Sequence, residues 1–420
     1  MIRTSIITIG DELLIGQVVD TNSAWMAQQL NRAGISVTRR VAVGDVAADV
    51  RNALDEEKMI ADIILITGGL GPTADDITKP LLCDYFNGKL IVDKEALENV
   101  KYLFEQVFKR EITDRNLKQA EVPDNCKVIQ NKRGTAPGMW FEKDGKIFVS
   151  MPGVPNEMQG MMETDVIPSL VARFDIPYIA HRTLLTFGVG ESFIADMIRD
   201  FEEALPPQIK LAYLPNYGMV RLRLTSVGQD KEKIETDLNQ NFLQLQQLVS
   251  AYMISNEDER MEAILGKLLL RENKKMCTAE SCTGGYIAHV ITSVPGSSGF
   301  YDGSLVTYSY QAKEDLLLVK KRTLLDKGAV SEEVVAEMAK GALHHIGSDY
   351  VIAVSGIMGP GGGMPDKPVG TVWIAVGNDQ KIITKKLHFR FERQLNIQLT
   401  AVNALNLLRQ FILDEIMLRS

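Results

Sequence analysis

The sequence predicts an α/β protein built as three successive domains, over residues 1–172, 176–254 and 258–420. Three observations carry this reading. Strand-like and helix-like periods alternate through the first third, the pattern of a parallel sheet covered by helices. From about Ile176 the rhythm shortens into a small α+β unit of roughly 75 residues, near the low end for an independent domain. The last third returns to layered α/β alternation. At 420 residues the chain is too long for one simple module.

In the first domain, Ser5 to Ile9 reads as a strand. Asn22 to Ala33 carries Trp25, Met26 and Leu30 at helical spacing, and Gly34 is placed to stop it. A strand over Ile35 to Val43, a helix over Val46 to Ile60 and a strand through Ile63-Ile64-Leu65-Ile66 follow. That last run is apolar on both faces and is expected to be buried. A final strand, Ile147 to Met151, leads into Pro152-Gly153-Val154-Pro155. The middle unit is read as strand Thr183 to Thr186, helix Glu191 to Ala204, strands Ile209 to Leu214 and Val220 to Ser226, and helix Lys231 to Val249. Ser255 to Arg260 is a linker or a helix start. The last domain has helices at Met261 to Glu272, Gly285 to Ile291, Glu332 to Ile346 and Arg393 to Met417. Its strands are expected at Lys275 to Ala279, Ser304 to Tyr308, Tyr350 to Val354, Thr371 to Val376 and Lys381 to Phe389.

Composition narrows the function classes. Hydrophobic residues at 45% and charged residues at 24% are those of a folded globular chain. The formal net charge of -8 repels phosphate backbones and anionic membranes, leaving room only for a local basic site. Four scattered cysteines, at 83, 126, 277 and 282, form neither a disulfide framework nor a zinc motif, which fits a reducing cytoplasm. No run of about 18 apolar residues occurs, so residence in a membrane is not expected.

Three first-domain loops follow strands, where open α/β sheets bind ligands. They are Gly10 to Gly16, Thr67-Gly68-Gly69-Leu70-Gly71-Pro72-Thr73-Ala74-Asp75-Asp76, and Met151 to Glu157. Glycines at 68, 69 and 71 let a phosphate approach the backbone, and a helix starting near Thr73 would point free N–H groups at it. Asp75 and Asp76 are then candidates for a divalent metal bridging that phosphate. The plainer alternative is a tight turn with the aspartates capping a helix. Neither a P-loop nor a Rossmann fingerprint is present.

In the last domain, Ala279-Glu280-Ser281-Cys282-Thr283-Gly284-Gly285 lies between a short strand and a helix. A hydroxyl raised on such a turn, beside backbone N–H groups of Thr283, Gly284 and Gly285, suits a nucleophile with an oxyanion site. The five histidines offer no obvious base; Lys313 is the better candidate, because a desolvated lysine loses its proton more easily, against the alternative of an exposed cation at a helix start. Tyr308 is expected to orient that lysine or to bond the substrate, against the alternative of a core aromatic. Cys282 is a rival nucleophile, against the alternative of a small buried hydrophobe. A second glycine-rich loop, Ser355-Gly356-Ile357-Met358-Gly359-Pro360-Gly361-Gly362-Gly363, is read as a phosphate site or a mobile lid, loop flexibility being the simpler account.

Together these motifs resemble the CinA family (competence- or damage-inducible proteins) over essentially the whole chain. The first domain resembles a MoaB/MogA-like three-layer α/β domain. Its motifs are Gly10-Asp11-Glu12, Asp20-Thr21-Asn22, Thr67 to Thr73 with Asp75-Asp76, Arg133 to Gly138, and Met151 to Pro155 with Glu157. The middle unit resembles the KH-type domain, and the last domain resembles nicotinamide-nucleotide amidase through the Ser281 motif, Pro295 to Ser298, Val306 to Ser309 with Lys313, and Ser355 to Val372. The resemblance implies hydrolysis of the carboxamide of nicotinamide mononucleotide by Ser281 and Lys313, with no cofactor. Ser355, Gly356, Gly359 and Gly361 would join Thr283, Gly284 and Gly285 around the substrate. For the first domain it implies metal-dependent ADP-ribose pyrophosphatase activity. Asn22, Gly68, Gly69, Gly71, Thr73 and Glu157 would bind the nucleotide, and Asp11, Asp75 and Asp76 would hold magnesium or cobalt, with potassium a further candidate ion. Nucleotides are the implied partners, nucleic acid and membrane are not, and a homodimer is the expected assembly.

Three departures from the family pattern bear on substrate fit: Met358 where alanine is usual, Tyr310 where asparagine is common, and no second arginine after Arg393. A rival reading makes the protein a non-catalytic nucleotide or pterin sensor, since a shared fold does not fix a function. A nucleic-acid role for the middle unit is weaker, because Gly188-Val189-Gly190-Glu191 lacks basic neighbours.

Overall fold

The computed structural model describes residues 2–73, 76–216 and 218–419. Its first strands are β1 (Arg3–Ile9), β2 (Ser36–Val43), β3 (Ile63–Thr67), β4 (Leu90–Val92), β5 (Glu121–Pro123), β6 (Lys127–Ile129), β7 (Gly138–Lys143) and β8 (Lys146–Met151). Six of them form a sheet in the order β2-β1-β3-β8-β7-β6. The strands from β2 to β8 run parallel, whereas β7 and β6 add antiparallel pairings. β4 and β5 form a separate pair.

Burial explains the centre of this sheet. Every residue of β3 is buried. Ile64 and Ile66 face one core with Val50, Leu54, Leu82 and Phe148. Ile63 and Leu65 face the other with Met26, Leu30, Val149 and Met158. The two-residue period thus feeds two layers, and each such side chain contributes about 1.5–3 kcal/mol on full burial.

The chain divides into two compact units, one running to Ala180 with Ser226–Thr236 added, the other made of His181–Thr225 and the chain from Asp237 onward. The middle segment contains β9 (Tyr178–Phe187), β10 (Ile209–Asn216), β11 (Met219–Gly228) and β12 (Met253–Ser255), ordered β10-β11-β9-β12. Ser255, expected in a linker or helix start, instead ends β12, which pairs antiparallel with β9. The helix expected over Glu191 to Ala204 is broken at Ile198, which leaves helical geometry at φ -110°, ψ 18°.

The last sheet is β14-β13-β15-β16-β17, from β13 (Met276–Glu280), β14 (Tyr301–Val306), β15 (Tyr350–Gly356), β16 (Thr371–Gly377) and β17 (Ile382–His388). β13 lies parallel between β14 and β15, and β16 and β17 continue antiparallel. In β15, Ile352 and Val354 pack into one core while Val351 and Ala353 pack into the other. β14 stops at Val306 because its partner β13 stops at Glu280 opposite it. The strand expected through Tyr308 is therefore shorter at that end, and Tyr308 falls in a loop. No helix among the described residues is long and apolar enough to cross a membrane.

Candidate active site

Ser281 stands at the end of β13, where its N–H donates to the carbonyl of Val354 in the neighbouring strand. The chain then turns through Gly284 and Gly285, both at positive φ, into the helix Tyr286–Thr292. Glu280 fixes this turn. Its fully buried carboxylate accepts from the Thr283 hydroxyl at 2.7 Å and from the amides of Gly285 (3.0 Å), Ile287 (3.0 Å) and Ala288 (2.8 Å). A carboxylate therefore occupies the positive end of the helix.

This corrects one part of the expected oxyanion site. The Gly285 N–H points at Glu280 and the Gly284 N–H donates to the Ser281 carbonyl, so neither serves an incoming oxyanion. The Thr283 hydroxyl is likewise engaged. Among the described residues, the amides of Cys282 and Thr283 find no oxygen acceptor, which leaves these two donors for an oxyanion.

Lys313 belongs to the helix Tyr310–Leu317, started by the Ser309 hydroxyl accepting from the Ala312 amide. Its side chain is 1% exposed. Nζ lies 2.9 Å from Ser281 Oγ and donates to the Thr307 carbonyl at 2.7 Å. Burial pushes the ammonium down to about 8. The neutral amine can keep its bond to Thr307 and present a lone pair to the serine hydroxyl, the arrangement of a general base.

The other predicted residues divide. Tyr308 is 64% exposed and accepts a hydrogen bond from Arg393 Nη2 at 3.0 Å. It is neither a core aromatic nor the group that orients Lys313, which is the Thr307 carbonyl. Cys282 is buried and its thiol is pushed up to about 12 by that burial, so it is a packing residue. Ser355 and Gly356 reach the cleft, Ser355 donating to the Ala329 carbonyl at 2.7 Å.

The cleft has a volume of about 210 Å³ around Ser281, Lys313, Ser355, Met358 and Arg393. A second chamber of about 480 Å³ shares Met358 and Arg393 with it and is lined further by Gly359, Pro360, Val369 and Phe391. Gly361 is exposed and lines neither. A larger cavity of the domain, about 1180 Å³, is an open groove of mixed charge at Lys340, His344, Asp379 and Glu415. It contains neither Ser281 nor Lys313, which both line the smaller cleft. Sequence reasoning missed the roles of Glu280 and Arg393. An acid inside an apolar strand end was the available signal for the first; the family pattern drew attention to the arginines from 393 onward, but nothing local signalled the bond from Arg393 to Tyr308, 85 positions away.

In the first domain the three expected loops meet. A Cβ on Gly68, at φ 112°, would stand 2.2 Å from the Ile9 carbonyl oxygen, and one on Gly153 would touch the Gly68 backbone. Asn22 Nδ2 donates to the Gly153 carbonyl at 2.7 Å, while among the described residues its buried Oδ1 has no partner. Gly69 packs against Thr78. The helix expected near Thr73 starts only at Thr78, because Asp76 folds back to accept from the Gly71 amide and from the Thr73 amide and hydroxyl.

Asp11 accepts from the Asp45 amide, and Glu157 accepts from Asn131 Nδ2 at 2.6 Å, burial raising the Glu157 carboxyl above its usual range. Asp75 lies outside the described residues. Among those described, no three His, Cys, Asp or Glu side chains gather for a metal. Asp11, Asp76 and Glu157 each already accept hydrogen bonds from neighbouring groups.

Residues 258–412 match the family model described as the CinA C-terminal domain. Residues 5–172 match a probable molybdopterin binding domain, and residues 181–254 match the damage-inducible protein CinA KH domain. A CinA-like protein of Cytophaga hutchinsonii is 43% identical over 97% of this chain and 98% of its own length. One of Flavobacterium psychrophilum is 42% identical over 98% of this chain and 99% of its own. Among solved structures, the competence damage-inducible protein A of Klebsiella pneumoniae subsp. pneumoniae is 37% identical, covering 36% of this chain and 93% of that one, with a TM-score of 0.35.

Proposed function

The chain belongs to the CinA family, and from that premise we propose that its last domain hydrolyses the carboxamide of nicotinamide mononucleotide to nicotinate mononucleotide and ammonia. The observation that carries this reading is the buried Lys313 Nζ 2.9 Å from Ser281 Oγ. Neutral Lys313 takes the hydroxyl proton as Oγ attacks the carboxamide carbon. The amides of Cys282 and Thr283 receive the developing oxyanion. The lysine ammonium returns its proton to the leaving nitrogen, and ammonia departs. Water then attacks the acyl-serine with Lys313 accepting its proton and passing it to the departing Ser281 Oγ, which releases the acid and restores the hydroxyl.

The smaller cleft holds the pyridine ring and its amide, and the second chamber takes the ribose phosphate beside Arg393. The test is ammonia release by purified protein. Ser281→Ala is expected to abolish it; release at the parent rate would remove the mechanism.

A second reading is favoured by the unpartnered Oδ1 of Asn22 at the three-loop junction. We propose that a nucleotide binds there, the glycine turn meeting its phosphates and Asn22 accepting from a ribose hydroxyl. Cleavage of ADP-ribose to AMP is the activity to assay. Suppression of AMP production by a chelator would show that a metal takes part; tight nucleotide or pterin binding without turnover would favour a sensor.

A further inference from the structure

We propose that Asn396 is a positioning residue for the anionic end of the substrate, an inference that rests on the amidase reading. Asn396 is fully buried in the first turn of the helix Arg393–Arg419. Its amide has only one sensible orientation. Nδ2 donates to the carbonyls of Phe391 (2.8 Å) and Met358 (3.1 Å), and Oδ1 accepts from the Phe391 N–H (3.3 Å). Met358 and Phe391 both line the second chamber, so one side chain joins two of its walls.

Arg393 makes a parallel connection. Its Nη1 donates at 2.9 Å to the carbonyl of Gly359, the neighbour of Met358. The same two segments are thus joined by a buried amide and by an exposed guanidinium. The buried connection is shielded from water and fixes their spacing. The exposed one can exchange the Gly359 carbonyl for an anion without the walls parting. Without Asn396, the Met358 carbonyl and both polar groups of Phe391 would lose their partner, and the guanidinium would lose its fixed distance from the loop. Asn396 touches no reacting atom; it acts through Arg393 and the loop.

The experiment uses the full chain with phenylmethanesulfonyl fluoride, a neutral reagent, to label Ser281, and ribose 5-phosphate to protect it. In the parent, ribose 5-phosphate is expected to slow labelling. Asn396→Ala should label at the parent rate without protection, yet need about tenfold more ribose 5-phosphate for half protection. Asn396→Leu, uncharged, of similar size and lacking both donors, should behave alike and serves if the alanine variant does not fold. With nicotinamide mononucleotide, KM should rise by a similar factor while kcat stays within about twofold. An unchanged half-protecting concentration, a labelling rate that falls in parallel, or a parent that ribose 5-phosphate does not protect would each overturn the proposal. A parent that is labelled and protected but releases no ammonia would sink the amidase reading alone.

Discussion

Lys313 sets two expectations of opposite use. Because burial holds its ammonium near 8, the base form becomes the major species only above that pH. The kcat/KM for ammonia release should therefore climb with pH through about 8 and level off, and Lys313→Met should lower kcat by about 10²–10⁴-fold. The same depression makes the folded chain bind fewer protons than the unfolded chain between about 8 and 10.5. The lysine's contribution to stability is thus least favourable below about 8 and improves as pH rises through that window. Denaturant unfolding should show Lys313→Met gaining on the parent most at neutral pH, with the gain shrinking toward 10.5; a pH-independent difference would contradict the depressed value. Glu280 carries the complementary prediction. Glu280→Gln would turn an N–H₂ toward at least one of the donors that Glu280 now accepts from, leaving it unpaired in the interior. A loss of about 2–4 kcal/mol in denaturant unfolding is expected, together with a fall in kcat as the serine turn loosens.

At the level of elements, the helix Tyr286–Thr292 shows why an exposed-looking N-terminus need not bind substrate. Glu280 already occupies the Gly285, Ile287 and Ala288 amides, so under the amidase proposal the substrate phosphate would be met from the Arg393 side of the cleft. The strands that build these sites were legible because runs such as β3 and β15 are largely apolar and are buried on both faces. What lay outside local periodicity was not. Tyr308 reads as a strand residue by composition, yet β14 ends where β13 stops supplying hydrogen bonds. Asp76 reads as a helix cap, but its carboxylate turns back on Gly71 and Thr73 and delays the helix to Thr78. Ser281 and Lys313 were legible from their motif. Asn396 was not, since a lone asparagine in an amphipathic run signals nothing until the loop at Met358 is folded against it. The glycine turn after β3 gives the prediction at this scale. Gly68→Ala would place a Cβ 2.2 Å from the Ile9 carbonyl at a φ of 112°, which no rotamer relieves. A loss of about 2 kcal/mol or more is expected in denaturant unfolding, because strain at such a φ adds to the collision. Wild-type stability in that variant would mean that the β1 and β3 loops are not in contact.

For the whole molecule, the two proposed sites are expected to be chemically separable. Each is supported by its own packing: Ile9, Ile64 and Ile66 share a core in the first domain, whereas Cys282, Met358 and Val354 share one in the last. The groups nearest each site come from strand ends of that domain's own sheet, β1, β3 and β8 in one case and β13, β14 and β15 in the other. A substitution that removes chemistry without creating a void should therefore stay local. Ser281→Ala deletes a single hydroxyl from a small cleft and leaves the carboxylate network of Glu280 intact. Ammonia release from nicotinamide mononucleotide should vanish in this variant while production of AMP from ADP-ribose stays at the parent rate. Asn22→Ala should show the converse, because it removes the unpartnered acceptor and the bond to Gly153 without touching the last domain. Both assays belong on the same preparation, so that a misfolded fraction lowers the two rates together and is recognised as such. Loss of both activities from Ser281→Ala in a protein that unfolds at the parent midpoint would show that the domains do not work independently, and that one of them needs the other's chemistry to function.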